Sequence, residues 1–476
     1  MRNLTMMTDL YQLTMMYGYY KNGIHKRQAV FDLFFRQQQD QSSYAIAAGL
    51  EQIIEYIENL HFSEEDLSYL KSLKLFDSGF LDVLKKLRFT GDIHAVPEGT
   101  VVFPNEPMVR VKAPLIEAQL IETALLNMIN HQTLIATKAS RVVMAAQGSS
   151  VLEFGLRRAQ GPDAGIYGAR AAIIGGCSAT SNVMTGQMFG ISVKGTHSHS
   201  WVMSFPDELT AFRAYADAFP HACLLLVDTY DTLRSGIPNA ITVFKELREK
   251  GYEPVGIRLD SGDLAYLSKK ARIMLDEAGF SNAKIVASND LDEELIWDLK
   301  AQGAKIDIFG VGTSLITSKG RSALGGVYKM AAEEIDGKMV PKIKISDNRD
   351  KITNPGYKKF VRIYNGNRKA IADLIMLEEE KIDTRKPLTI FDPIETWKRM
   401  TLTKYSIREM LTPIYLNGKL VYKTPSLLEI QKYAKEELDT LWDEYKRLKN
   451  PHLFKVDLSQ KLYDLKQELL REYSMK

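Results

Sequence analysis

The stretch PVGIRLDSGDL, residues 254–264, decides the fold because it combines a short apolar run, polar residues at its end and the start of a helix. The same order recurs between Ser150 and about Val311, in the segments VLEFG, CSATSN, ISVKGT, CLLLVD, KIVASN and IDIFGVG. Short apolar runs that alternate with helical patterns are typical of parallel βα units. The segment therefore predicts a parallel α/β architecture.

Both a doubly wound sheet and a barrel fit this alternation. We favour a parallel α/β barrel because polar residues follow nearly every run, so that side chains from several strands converge on one rim. We expect this catalytic unit to occupy residues 150–350. An N-terminal α+β domain, residues 1–149, precedes it, and a C-terminal extension, residues 351–476, follows and is mostly helical at its end.

The flanking parts carry local signals of their own. Thr8 is a candidate N-cap for a helix that ends near Tyr20, and the proline-punctuated pieces between Ile93 and Val111 indicate short strands. Beyond about Tyr357 the pattern predicts an irregular extension. Its first convincing helix begins at Ser426, because the glutamate three residues later gives the capping-box spacing.

Composition excludes several functional classes. The 476 residues are 45% hydrophobic and 25% charged, and the net charge of +3 arises from well-mixed basic and acidic residues. Such mixing gives no basic patch for nucleic acid, and the apolar runs are too short to cross a bilayer. Two cysteines exclude a disulfide framework and suit a reduced compartment. We expect a cytoplasmic protein that binds neither nucleic acid nor membrane.

A pair of arginines follows the first strand in EFGLRRAQGPDAG, residues 153–165. Guanidinium groups at a strand end suit a carboxylate or a phosphate. If the strand persists, Arg157 and Arg158 point in opposite directions, so only one faces a pocket. An ordinary ion pair with a neighbouring acid explains the pair equally well.

The segment ISVKGTHSHSWV, residues 191–202, places consecutive polar groups after a flexible glycine. On an extended segment His197 and His199 share a face and form an H-x-H metal pair, although that interpretation requires further ligands. A structural role suits His197 better than His199. This density of polar groups indicates a binding or catalytic segment.

In PVGIRLDSGDL, Arg258 and Asp260 are two residues apart on a strand and share one face. We expect Ser261 to cap the following helix and Asp263 to lie in its first turn. An arginine and a carboxylate at one rim suit an anion, a hydroxyl group and a metal together. Alternatively, Arg258 pairs with Asp260 and Asp263 only stabilises the helix dipole.

The segment IDIFGVGTSL, residues 306–315, contains Gly310, Gly312 and Thr313, which suit close approach to a phosphate. A G-x-G after a strand is weak by itself, but loops after late strands of a barrel commonly hold phosphate. Ser288 and Asn289, at the end of the preceding strand, are placed to reach the same ligand.

Taken together and in this order, the motifs resemble those of nicotinate phosphoribosyltransferases: TDLYQLTM, EFGLRRAQGPDAG, GTHSHS, GIRLDSGDL, VASNDLDE, GVGTS and LGGVYK. The resemblance covers about residues 5–330 by motif. It implies a type II phosphoribosyltransferase fold, which is an irregular parallel α/β barrel with an N-terminal domain packed against it, and a homodimer with active sites at the interface. It also implies that nicotinate and phosphoribosyl pyrophosphate give nicotinate mononucleotide and pyrophosphate, with ATP hydrolysed as co-substrate and Mg2+ required.

The resemblance also implies roles for individual residues. Tyr11 matches the aromatic residue that covers the nicotinate ring, and Thr196 and Arg258 match positions that contact nicotinate. His199 matches the histidine that ATP phosphorylates. Thr313, with Gly310 and Gly312 beside it, matches a contact to phosphoribosyl pyrophosphate.

Physical chemistry adds expectations to these roles. Arg258, helped by Arg157, favours the carboxylate that nicotinamide lacks. Asp260 or Asp263 is expected to contact Mg2+ at the leaving pyrophosphate. The pyridine nitrogen is itself the nucleophile, so no strong general base is needed.

Several alternatives stay open at this point. Nicotinamide phosphoribosyltransferase is the nearest rival, while the long C-terminal extension and GTHSHS count against a quinolinate enzyme. An H-x-H metal hydrolase on a barrel requires a tightly bound transition metal. A non-catalytic phosphate-binding barrel would bind phosphoribosyl pyrophosphate without releasing pyrophosphate.

Overall fold

The computed structural model describes residues 3–36 and 43–474. It divides into two compact units, residues 135–322 and residues 1–134 with 323–476. Packing therefore groups the two ends of the chain, because the strand Gly326–Ile335 pairs with Gln28–Phe35. The sequence-based division at residues 149 and 350 stays a prediction about domains.

A six-stranded parallel sheet forms the centre of the unit 135–322. Its spatial order is Ala179–Thr180, Ser150–Glu153, Ile308–Val311, Lys284–Ala287, Gly256–Leu259 and Leu224–Leu226. All five pairings are parallel, which confirms the predicted parallel α/β architecture.

The predicted barrel is not confirmed by strand pairing. Among the described residues, the segment ISVKGT makes only one parallel bridge, between Thr180 and Val193, and forms no ladder with Leu224–Leu226. Residues 192–195 of this segment are exposed, so its polar and glycine residues do not extend the sheet. The described strands therefore form an open sheet.

Helices connect the parallel strands and begin at sharply defined positions. The side chains of Asn182, Asp207, Asp263 and Asp292 each accept a backbone N–H as N-caps. The α-helices that lie wholly in this unit are Pro162–Ile174, Val183–Phe189, His199–Met203, Glu208–Ala218, Ile237–Glu249, Leu264–Glu277, Glu293–Ala301 and Thr313–Ile316. A longer helix, Glu122–Ala145, starts in the other unit.

A seven-stranded antiparallel sheet dominates the other unit. Its order is Lys338–Pro341, Gly326–Ile335, Gln28–Phe35, Val109–Pro114, Asp92–Ala95, Thr412–Leu416 and Lys419–Leu420. The strands Ala45–Ile46 and Val101–Val102 form a separate pair.

The remaining helices of the N-terminal part are Leu10–Lys21, Leu50–Glu58, Glu64–Ser72, Ser78–Lys86 and Leu115–Leu120. The first is capped by Asp9, so the prediction of Thr8 as the cap was wrong by one residue.

The C-terminal part contains more β structure than the sequence pattern indicated. Ser406–Glu409, Lys358–Tyr364, Ala370–Leu377 and Val456–Leu458 form a four-stranded sheet, and Leu388–Phe391 pairs with Arg399–Leu402. The prediction of an irregular extension was therefore wrong. Buried charged residues interrupt the apolar patterns of these strands, so the sequence pattern did not indicate them. Three helices lie near the end, Leu427–Thr440, Asp443–Lys446 and Gln460–Ser474, and the predicted capping box at Ser426 is confirmed.

Those buried charges form a network around Arg362. Its Nε and Nη2 atoms donate to the carboxylate of Asp373 at 2.6–3.2 Å, and Nη1 donates to Glu437 at 3.2 Å. Glu437 also accepts from Arg408 at 2.7 Å. Burial, followed by the neighbouring Asp373, raises the pKa of Glu106 well above its ordinary range. With Glu106 protonated, Arg362 and Arg408 balance Asp373 and Glu437 in this network.

No helix in the described ranges has the length and apolar character needed to cross a membrane.

Replacing Arg362 with Met should destabilise the chain by about 3–5 kcal/mol, because Asp373 would remain buried without its cation. Urea denaturation measures the change. The matched control is Arg385→Met, which removes an exposed pair with Asp383 and should leave the midpoint unchanged. Equal midpoint shifts in the two variants would contradict the role given to the buried network.

Candidate active site

Polar residues follow three neighbouring strands of the parallel sheet, and a glycine follows a fourth. Asp228 and Thr229 come after Leu224–Leu226, and Asp260 comes after Gly256–Leu259. Ser288 follows Lys284–Ala287, and Gly312 follows Ile308–Val311. Because the strands are parallel, these residues lie at one edge of the sheet, where open α/β sheets bind ligands.

Asp260 is fixed at this edge by its neighbours. Its backbone N–H donates to Oδ2 of Asp228 at 2.7 Å, and the Ser288 hydroxyl donates to its Oδ1. Ser261 also donates to Asp228 Oδ2, at 2.6 Å. Asp228 therefore orders the loop after Gly256–Leu259, while the second oxygen of Asp260, Oδ2, lies 3.7 Å from Nε2 of His199.

His199 is the first residue of the helix His199–Met203. Its Nδ1 lies 3.1 Å from the hydroxyl of Thr229, and its Nε2 lies 3.7 Å from Oδ2 of Asp260. The side chain remains 39% exposed. Thr229 thus orients the ring, whereas Nε2 stays outside ordinary hydrogen-bond distance of the carboxylate and accessible to a ligand.

Arg258 joins the segment after Val193 to the neighbouring strand. Its Nη1 donates to the Thr196 hydroxyl at 2.6 Å, and its Nη2 donates to the His197 carbonyl at 3.1 Å. Within the described ranges its Nε is buried without a partner, and no salt bridge joins Arg258 to Asp260. The alternative that Arg258 simply pairs with Asp260 was therefore wrong.

Burial lowers the pKa of Arg258, although Asp260 and Asp228 oppose that shift. Arginine nevertheless stays protonated in proteins, so the guanidinium is a permanent cation at this edge. Of its five N–H groups, two are used by Thr196 and His197. The remaining donors suit a carboxylate or phosphate.

His197 has a structural role. It is only 8% exposed, and its Nε2 accepts the backbone N–H of Leu226 at 3.2 Å. Burial lowers the pKa of His197 to about 4, so the ring is neutral near pH 7. Its ring centroid lies 4.6 Å from that of Tyr215. His197 thus bridges its own segment to Leu224–Leu226, where strand pairing is absent among the described residues.

The H-x-H metal pair receives no structural support. His199 begins a helix, while His197 is held by Leu226, so the two rings do not share a face of an extended segment. The part of the chain that the structure describes contains no group of three or more His, Cys, Asp or Glu residues suited to a metal ion.

Gly310, within the strand Ile308–Val311, and Gly312, directly after it, allow a close approach by Phe154. A Cβ on Gly310 would lie 2.6 Å from the Phe154 ring, and one on Gly312 would lie 3.1 Å from the Phe154 carbonyl oxygen. Gly310 is buried within its strand, whereas Gly312 precedes the helix Thr313–Ile316. Packing therefore explains Gly310, while Gly312 and Thr313 lie at the edge. Asn289, with φ of +116°, is exposed and bonds to the N–H of Asp290.

Two local predictions need correction. Arg157 lies exposed in the 3₁₀ helix Leu156–Arg158, so it does not continue a strand. Buried Glu153 accepts the N–H of Gly155 and the hydroxyl of Thr180, which turns the chain at the strand end. Asp263 is itself the N-cap of Leu264–Glu277, accepting the N–H of Tyr266 at 2.9 Å, so the prediction of Ser261 as cap was wrong.

Tyr11 lies in the other unit, on the helix Leu10–Lys21, with 49% of its surface exposed. Burial and the acids Glu122 and Asp9 raise its pKa. The phenol is therefore neutral near pH 7.

Sequence reasoning missed Asp228 and Thr229. Their signal was present, because both follow the apolar run CLLLV as Asp260 follows its own strand. What the run did not reveal is that Asp228 accepts two hydrogen bonds from the next loop.

Known structures place this mixed α/β fold and its parallel sheet in the class of type II phosphoribosyltransferases. Human nicotinic acid phosphoribosyltransferase superposes with a TM-score of 0.85 at 32% identity, covering 97% of this chain and 99% of that one. Nicotinate-nucleotide pyrophosphorylase from Pyrococcus furiosus, at 23% identity, shares the fold with a TM-score of 0.71 over 92% and 95% of the two chains.

The chain belongs to the nicotinate phosphoribosyltransferase family. Models of the family's N-terminal domain, of the family itself and of its C-terminal domain match residues 6–130, 149–369 and 357–466. A nicotinate phosphoribosyltransferase of Bacillus subtilis is 51% identical, covering 99% of this chain and 96% of that protein. One from Caenorhabditis elegans is 38% identical over 96% and 92%.

The neutral His197 predicts a pH dependence of stability. Folding lowers its pKa from the ordinary 6.5 to about 4. Between these values the unfolded chain binds a proton that the folded chain does not, so stability present above pH 6.5 is lost as the pH falls towards 4. From pH 7 to pH 5, His197→Gln should lose roughly 1–2 kcal/mol less than wild type in urea denaturation.

The control for this measurement is His221→Gln, which changes an exposed histidine of the same unit. It should lose as much stability as wild type over the same pH interval. A wild-type-sized loss in His197→Gln would contradict the assignment of a buried neutral ring.

Proposed function

We propose that this chain transfers the phosphoribosyl group of phosphoribosyl pyrophosphate to nicotinate, giving nicotinate mononucleotide and pyrophosphate for NAD salvage. Membership of the nicotinate phosphoribosyltransferase family supports this activity. The observation that carries the proposal is the oriented guanidinium of Arg258 at the edge of the parallel sheet, where Nη1 and Nη2 each make one hydrogen bond and each keep a second N–H for a ligand.

Nicotinate binding follows from the charge and geometry of Arg258. Thr196 and the His197 carbonyl hold the guanidinium plane, so its remaining donors are preorganised for a carboxylate. The neutral amide of nicotinamide would gain less from a buried cation. We assign a supporting role to Arg157, whose exposed position leaves it available to the same ligand.

The transfer step requires that the two reactants are aligned and that the charged phosphoribosyl pyrophosphate is bound. The pyridine nitrogen attacks the anomeric carbon as the bond to pyrophosphate breaks, so the chain must hold the two reactants in line. Ser288, Asn289, Gly312 and Thr313 follow adjacent strands and are our candidates for binding phosphoribosyl pyrophosphate, with Gly310 packing beneath them. No base is required, because the nucleophilic nitrogen carries no proton.

ATP coupling is proposed to act through His199. A ring nitrogen takes the γ-phosphoryl group of ATP, releasing ADP, and water later removes that group as phosphate. Nε2 is the favoured nitrogen, because Thr229 already engages Nδ1. The added negative charge lies beside Asp260 and alters the relative affinities for substrates and products, which couples ATP hydrolysis to net synthesis.

The carboxylates at this edge fit Mg2+. Oδ1 of Asp228 is buried without a partner in the described part of the chain, and Asp260 lies directly beside it. One or two carboxylates with water and phosphate oxygens are the usual ligands of Mg2+, and when bound it neutralises charge on the leaving pyrophosphate. Asp263 is the weaker candidate, since its Oδ1 caps a helix.

A homodimer with shared active sites is proposed from the helix Leu10–Lys21. Leu10, Tyr11 and Met15 are exposed on it, with 39–51% of each residue's surface accessible. A partner that covers these side chains would remove apolar surface from water. Tyr11 would then lie against the nicotinate ring bound by the partner.

Replacing Arg258 with Met should lower kcat/KM for nicotinate roughly a hundredfold, because a charge-assisted contact is lost from a buried site. It should also reduce the preference for nicotinate over nicotinamide. Steady-state assays of both substrates measure these effects. The control is Arg234→Met, whose side chain is 91% exposed. Unchanged selectivity in Arg258→Met would refute the assignment.

Replacing His199 with Ala should remove the increase in mononucleotide yield that ATP produces, while transfer without ATP continues. The matched control is His221→Ala, which changes an exposed histidine of the same unit and should keep the response to ATP. Product chromatography with and without ATP measures both. If ATP still raises the yield in His199→Ala as in wild type, the coupling proposal is lost.

A further inference from the structure

A cavity that the activity proposed above does not use lies in the unit formed by residues 1–134 and 323–476. Its volume is about 320 Å³, within the size range of small-molecule sites. Ala332 and Pro341 of the seven-stranded sheet line one side, and Leu377 and Leu465 line another. Tyr357, Lys112 and Glu379 supply polar atoms.

Tyr357 is held rigidly at this cavity. The guanidinium carbon of Arg110 lies 4.1 Å from its ring centroid. The backbone N–H of the preceding residue, Gly356, donates to the Ala331 carbonyl at 2.8 Å. The Tyr357 carbonyl accepts the backbone N–H of Glu378 at 2.9 Å. Burial raises the pKa of Tyr357, so its hydroxyl stays protonated near pH 7. This hydroxyl has no hydrogen-bond partner among the described residues and is free to donate.

Lys112 is the cation of the cavity. Its Nζ lies 5.7 Å from the Tyr357 ring centroid, and no carboxylate of the described residues lies within 4.0 Å of it. Asp92 is opposite Lys112 in the strand register, but its Oδ1 accepts the N–H of Asn417. Arg110, two residues earlier, is by contrast paired with Glu378. A half-buried ammonium beside apolar side chains favours an anionic ligand.

We propose that this cavity binds a small aromatic monocarboxylate, with its carboxylate at Lys112 and the Tyr357 hydroxyl and its ring among the apolar side chains. The aromatic ring is favoured because Tyr357 offers a fixed ring for edge or offset packing. Glu379, exposed at the same cavity, disfavours ligands with several negative charges such as nucleotides.

Calorimetric titration of the full chain with 2-naphthoate tests the proposal, with 2-naphthamide as the uncharged counterpart. We expect naphthoate to bind more tightly than naphthamide. Lys112→Met should weaken naphthoate binding about tenfold and remove this preference. Leu465→Trp should fill the cavity and abolish binding of both compounds. The matched control, Lys26→Met, changes an exposed lysine of the same unit and should bind as wild type does.

Arg258 also attracts carboxylates, so each titration is repeated in the Arg258→Met background. Naphthoate binding to the cavity beside Tyr357 and Lys112 should persist there. Absence of binding at about 10 mM, loss of binding in Arg258→Met, or undiminished binding in Lys112→Met would each overturn the proposal. Because Leu465→Trp risks misfolding, a crystal of the wild-type complex gives a second measurement. Naphthoate density elsewhere than beside Tyr357 and Lys112 would also overturn it.

Discussion

The hydrogen bonds from Arg258 to Thr196 and His197 hold the part of the site that the parallel sheet leaves unpaired. The segment ISVKGT, residues 191–196, makes only a single bridge to the sheet among the described residues, at Val193, so side chains must fix the chain that follows. Arg258 binds it from one strand, and the Leu226 N–H binds His197 from another. His199 follows directly, so the placement of its ring depends on the same contacts.

This arrangement gives each charged group at the sheet edge a separate task. Asp228 accepts hydrogen bonds from the loop that contains Asp260, and Ser288 fixes one oxygen of Asp260. Arg258 keeps donors for an anion, while His199 stays exposed beside Thr229. The site therefore separates a cation proposed to bind nicotinate from a histidine proposed for phosphorylation. That separation suits an enzyme of this family, whose proposed ATP step and transfer step act on different groups.

The sequence predicted the parallel unit because its apolar runs are short, regular and followed by polar residues. It predicted the helix at Ser426 for a similar reason, since capping chemistry is local. It did not predict the sheet that contains Arg362 and Asp373, because these two charged residues interrupt the apolar pattern of two largely buried strands that form a hairpin. Nor did it distinguish Ser261 from Asp263 as a cap, since either side chain can accept a backbone N–H and only the folded loop assigns Ser261 to Asp228.

The central claim is that an oriented arginine at the edge of a parallel sheet selects nicotinate as the acceptor of a phosphoribosyl group. Its most direct test is product analysis of the wild-type chain given equal concentrations of nicotinate and nicotinamide with phosphoribosyl pyrophosphate, ATP and Mg2+. We expect nicotinate mononucleotide as the dominant nucleotide, formed with an equal amount of pyrophosphate. Nicotinamide mononucleotide as the main product, or binding of phosphoribosyl pyrophosphate without release of pyrophosphate, would contradict it.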